Sequence, residues 1–95
     1  MSGLIENIYK KQIYIISELK DIYCETSDDG IKEKLTYIIG SSLQCINGII
    51  ENKSDIIKNN KIDNDFLMDI YQYAKSKCNN ILTNTIDRYI SHIRN

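Results

Sequence analysis

Apolar residues recur at three- and four-residue spacings from Leu4 to Ile93 with no proline to interrupt them. That pattern excludes almost every architecture but a helical one, because a half-buried strand would alternate with period two and a proline would stop a helix. The chain is therefore predicted to be all-α. Two polar stretches break the rhythm, Glu25-Thr26-Ser27-Asp28-Asp29-Gly30 and Asn59-Asn60-Lys61-Ile62-Asp63-Asn64. Each ends in side chains able to accept the free N–H groups of a first helical turn, Ser27 or Asp28 in one and Asp63 or Asn64 in the other. The division gives helices near 3–25, 29–59 and 64–94. With 95 residues, too few for a second core, the expectation is one domain over 1–95. Its predicted fold is an antiparallel three-helix up-down-up bundle. The alternative is a four-helix bundle with a break near Asn79-Asn80, because the apolar stripe of the third helix shifts by about 100° at that point.

Each predicted helix carries one irregularity. In the first, Leu4, Ile5, Ile8, Tyr9, Ile13, Ile15, Ile16, Leu19, Ile22 and Tyr23 span about 180°, wider than the roughly 100° stripe of an ordinary surface helix. Such a helix should touch two neighbours or a second subunit, so a homodimer is expected. Gln12 stands in the middle of that arc, where its amide must be hydrogen-bonded; it is either a satisfied core amide or a register device across a helix interface. The second helix keeps one apolar phase from Ile31 to Ile57, which predicts a single helix about 45 Å long. Its other face, Tyr37, Gly40, Ser41, Gln44, Asn47 and Gly48, has no charge and two glycines that weaken the helix. Tyr14, Tyr37 and Tyr73 lie off the main stripes, and tyrosine on a surface suits protein interfaces. Gln12, Tyr14, Tyr37, Gly40, Ser41, Gln44, Gly48 and Tyr73 are accordingly the candidate interaction residues.

Charge and cysteine content narrow the function. Twelve basic and thirteen acidic residues give a net charge of −1, and Lys10-Lys11, Lys32/Lys34, Lys58/Lys61 and Lys75/Lys77 are isolated pairs, not a basic stripe. Nucleic-acid binding is not expected from such a distribution. The longest uncharged stretch, 35–50, is short of the roughly 20 apolar residues of a membrane span. Cys24, Cys45 and Cys78 make no CxxC pair and leave one over from any disulfide, so they are expected to be reduced thiols of a cytoplasmic protein, placed in or near the core.

No catalytic or metal constellation emerges. The single histidine, His92, has no cysteine at zinc spacing, and its expected place is a frayed helix end favoured by the helix dipole. Glu-x-x-His pairs are absent, the serines have no nearby base, and the glycines form no phosphate-cradling loop. Neither a metal nor a cofactor is expected, and the chain is not expected to be an enzyme. Arg88-Tyr89-Ile90-Ser91-His92 resembles the arginine-to-histidine motif of helical-bundle ribonucleases of the HEPN superfamily, but has fewer intervening positions than that family, and the activity is not carried over. In size, acidity and lack of motifs the chain is similar in type to small helical immunity, inhibitor and anti-defence proteins of bacteria and their mobile elements, although no motif is shared. The expected function is non-enzymatic binding of another protein. The alternatives are a dimeric nucleic-acid-binding regulator and a self-assembling structural bundle.

Overall fold

The computed structural model describes residues 2–53, 55 and 61–94. Four helices, and no strand among the described residues, make up the fold: α1 Ser2–Glu25, α2 Asp29–Asn52, α3 Asn64–Ser76 and α4 Asn80–Arg94. Asp28 caps α2, its Oδ1 accepting from the Ile31 N–H at 3.1 Å. Asp63 caps α3 by accepting from the Asp65 N–H at 3.2 Å. Each is one of the two cap candidates that the sequence offers at its turn.

The three-helix expectation is corrected to four helices, with the break where the alternative set it. Its cause is a C-terminal turn made without glycine. The Asn79 N–H bonds back to Ala74 O at 2.8 Å and the Cys78 N–H to Lys75 O at 3.1 Å, a Schellman pair that requires a left-handed residue between the helix and its reversal. Cys78 fills that position with φ 57°. Asn79 then caps α4, its Oδ1 accepting from the Leu82 N–H at 3.1 Å. The single long second helix is corrected as well. It stops at Asn52, where the Lys53 N–H turns back to Ile49 O and Ile50 O; the apolar pair Ile56-Ile57, which carried the longer expectation, lies outside the described residues.

Side chains from all four helices meet in one core that includes Tyr9 and Ile16 of α1, Ile39, Leu43 and Ile46 of α2, Leu67 and Ile70 of α3, and Leu82, Ile86 and Tyr89 of α4. The wholly antiparallel arrangement does not hold. Gly40 meets Leu82, Asn47 meets Thr85 and Glu51 meets Arg88, so residue numbers rise together and α2 and α4 run parallel. The neighbours of α2 are α1 and α4, while α3 packs on α4.

Buried polar groups tie these layers. The Tyr9 and Tyr89 hydroxyls are hydrogen-bonded, and the Tyr89 oxygen also accepts from the Ile62 N–H at 3.1 Å. Burial pushes the pKa of both phenols up, the Tyr89 bond adding to the rise in Tyr9. Between α1 and α2, Ser42 Oγ donates to Gln12 Oε1 at 2.6 Å, which gives a partner to the amide oxygen at the centre of the first helix's arc. Between α2 and α4, Asn47 Nδ2 donates to Thr85 O at 3.1 Å. Asn47 is fully buried, a correction to its place on the outer strip, because α4 covers that flank of α2. The cysteines are corrected in the opposite direction: Cys24, Cys45 and Cys78 are all exposed free thiols.

Candidate protein-binding groove

The uncharged flank of α2 forms one wall of a groove whose other wall is the α3–α4 turn and the first turns of α4. Two connected clefts lie along it. The first, about 130 Å³, is lined by Tyr37, Gly40, Ser41 and Gln44 from α2 and by Asn79, Ile81, Leu82 and Thr85 from the facing side. The second, about 100 Å³, continues past Thr36 and Tyr37 to Glu33, Tyr73, Ala74 and Lys77. Gly40 sets the depth of the first cleft, since a Cβ built there would stand 3.3 Å from Leu82 Cδ1. The glycine thus serves a close approach, and the approaching helix is α4 of the same chain. Gly48 meets nothing within 4 Å.

Tyr37 and Ile81 project from the rims, 61% and 71% exposed. At the far end Tyr73 is held in place. Its hydroxyl lies 2.9 Å from Asp29 Oδ1 and 3.1 Å from Asp29 O, and its ring stacks edge-on against Tyr23 with centroids 6.0 Å apart. Lys77 Nζ donates to Asp29 Oδ2 at 2.7 Å. The Lys77 bond, followed by the Tyr73 bond, holds the Asp29 carboxyl below the usual carboxylate range. Burial, and then the bond to Asp29, pushes the Tyr73 phenol up to about 12. This end of the groove holds the Lys77–Asp29 pair beside the Glu33 carboxylate, and its middle is apolar with hydroxyl and amide edges.

Of the eight sequence candidates, Tyr37, Gly40, Ser41, Gln44 and Tyr73 come together around this groove. Gly48 lies beyond it on the same helix. Gln12 is half-buried in the α1–α2 seam, and Tyr14, 63% exposed, sits on the outer face of α1, where its bond to Glu18 pushes the phenol's pKa up. Ile81, Leu82 and Asn79 were not among the candidates. Their only signal was the drift in the third stripe, which marks the reversal that brings α4 against Gly40.

The Arg88–His92 pair belongs to a separate surface. Arg88 Nη2 donates to both Glu51 oxygens, at 2.8 and 2.6 Å, and His92 Nε2 is 3.5 Å from Glu51 Oε2. His92 is partly buried within a helix that runs to Arg94, which corrects the frayed end expected of it. Glu51 is held below the usual carboxylate range, first by Arg88. The cluster chiefly clamps α4 to the end of α2. Among the described residues no group of three His, Cys, Asp or Glu side chains could hold a metal ion, and no helix is long and apolar enough to cross a membrane.

No protein-family model matches the chain, and no significant match is found among curated proteins or solved structures.

Proposed function

We propose that the chain is a small non-enzymatic module of inhibitor, immunity or anti-defence type, cytoplasmic, that binds another protein through a helical surface. The observation that carries this is the uncharged first cleft of the groove between α2 and the α3–α4 turn, rimmed by Tyr37 and Ile81. An exposed tyrosine beside an exposed isoleucine supplies the apolar area of an interface core, and Ser41, Gln44 and Asn79 supply a polar border. Rigid walls lower the ordering cost of binding, and Tyr73, Asp29 and Lys77 brace one end. Support against a phosphate-binding role comes from the cations. Lys20, Lys77 and Arg88 are paired with Asp63, Asp29 and Glu51, which takes three of the scattered positive charges out of any basic surface.

The test is copurification from the native source, with mass spectrometry of what is retained by the wild type, by Tyr37→Glu, by Ile81→Glu and by Tyr14→Ala. A protein kept by the wild type and by Tyr14→Ala, but lost from both groove variants, is the expected result. Partners unchanged across all four would sink the groove. Retention of nucleic acid that falls steeply as salt is raised would favour the regulator instead.

A further inference from the structure

Among the described residues, a second apolar surface lies on the other flank of α2, along its seam with α1. At 100° per residue, Ile8, Ile15 and Ile22 stack in one row on α1, and Ile31, Ile38 and Cys45 in one row on α2. Both rows repeat every seven residues, the spacing of helices that pack along a continuous seam. The Gln12–Ser42 bond shows which flanks of the two helices meet. It also sets their register, so that Ile8 stands near the level of Cys45, Ile15 near Ile38 and Ile22 near Ile31. Tyr9, Ile16 and Tyr23, with Ile39, Leu43 and Ile46, turn the other way into the core. The two rows therefore lie side by side on the outer face of the hairpin.

The five isoleucines are between 38% and 50% exposed, and no charge interrupts them between Lys11 and Glu18 on the α1 border and Lys34 on the α2 border. With Leu4 they leave on the order of 500 Å² open, in the upper part of the range of about 300 to 600 Å² for the largest patch on a soluble monomer. Adding the polar border brings the face close to the roughly 800 Å² per partner of a standard interface.

The pattern also matches itself. A two-fold axis lying in this face, across both helices at the level of Ile15 and Ile38, sets Ile15 on Ile15 of the second copy, Ile38 on Ile38, Ile8 on Ile22 and Ile31 on Cys45. The same operation brings Lys11 of each copy beside Glu18 of the other. A closed two-fold interface requires such reciprocity of apolar rows and border charges.

We propose that a second copy of this chain covers the outer face of the α1–α2 hairpin, antiparallel to the first, with Ile15 and Ile38 at the two-fold axis and Lys11–Glu18 pairs at the border. The dimer leaves the groove on the opposite flank of α2 open, so its formation and partner binding are separate properties.

Sedimentation equilibrium of the full chain over the micromolar range tests it. The wild type is expected at twice the 11.0 kDa chain mass. Ile15→Lys and Ile38→Lys should keep the helical circular dichroism spectrum and weaken association at least about a hundredfold, as loss of a central interface contact does. Lys11→Glu and Glu18→Lys should each weaken it, and the two together in one chain should restore it, because the reciprocal pairs reform with reversed sign. If a lysine variant loses its helical spectrum, the charge-swap series on exposed positions decides alone. A wild type that stays monomeric throughout, a dimer unaffected by the lysine variants, or a double swap no tighter than the single ones would overturn the proposal.

Discussion

The α1–α2 and α3–α4 hairpins use their apolar residues differently. Each helix of the first has 24 residues, against 13 and 15 in the second. Among the described residues, the long hairpin carries all but two of the large hydrophobic side chains left exposed, the two being Met68 and Ile81. The short helices concentrate their apolar residues on narrow stripes that other helices cover, whereas α1 spreads isoleucines over half its circumference and has cover for less. Hydrophobic side chains on a predicted helix are thus not all core. Stripe width against the number of neighbours decides how many can be.

The largest effect that sharpens this contrast is loss of core packing. Ile86 of α4 is fully buried and Ile15 of α1 is 40% exposed. Ile86→Ala should cost about 2 to 5 kcal/mol through lost transfer energy and a cavity. Ile15→Ala, measured by denaturant unfolding in dilute protein, should cost less than about 1 kcal/mol, since partial exposure reduces the area lost. Equal costs would break the comparison, and would mean that the outer face of α1 is covered in the single chain.

Hydroxyl deletions probe where the hairpins join. Tyr89→Phe removes the acceptor of two buried donors, the Ile62 N–H and the Tyr9 hydroxyl, and should cost about 1 to 3 kcal/mol. Tyr9→Phe leaves the Tyr89–Ile62 bond in place and should cost about 0.5 to 1.5 kcal/mol. The reverse order, measured by thermal unfolding, would put the weight of the network on α1. The same burial sets an alkaline limit. Burial raises the pKa of Tyr9 and Tyr89 and pushes Tyr23 up to about 12, so the folded state holds these protons more tightly than the unfolded chain. Their contribution is complete below the ordinary tyrosine pKa of about 10 and declines as pH rises through it toward the folded values. The melting temperature should fall above about pH 10, and less steeply in Tyr9→Phe.

Helical class, the first turn and the caps Asp28 and Asp63 were legible because each rests on local chemistry, an apolar period or an oxygen before a first turn. The second reversal was half legible: the stripe drift placed it, but with Cys78 where glycine usually stands no residue type announced it. The end of α2 at Asn52 was hidden because the apolar phase continues past it. Asn47 was placed outside and Cys45 near the core because a lone helix does not reveal which flank its second neighbour takes; α4 took the Asn47 side and left the Cys45 side open. The α2 wall of the groove was visible as an uncharged strip with Gly40. Its opposite wall, Ile81 and Leu82, was not, since it depends on α2 and α4 running parallel.

Glycine placement gives the smallest contrast between the hairpins. The long one has a glycine where its helix needs none, and the short one lacks a glycine where its turn calls for one. At Gly48 a Cβ would meet nothing within 4 Å, so Gly48→Ala should stabilise by about 0.4 to 1 kcal/mol by restricting the unfolded chain. At Cys78 the backbone is left-handed, φ 57°, which costs an L-residue about 1 to 2 kcal/mol. Cys78→Gly removes that strain but gives back part of the gain as unfolded-state entropy, leaving a net stabilisation of about 0.5 to 1 kcal/mol. Gly40→Ala is the control, because its methyl would lie 3.3 Å from Leu82 Cδ1 and Leu82, itself buried, must shift to admit it. Thermal unfolding should therefore rise for Gly48→Ala and Cys78→Gly and stay level or fall for Gly40→Ala. A rise as large in Gly40→Ala as in Gly48→Ala would show that α4 does not approach α2 so closely, and the groove between them would then lose the wall that gives it depth.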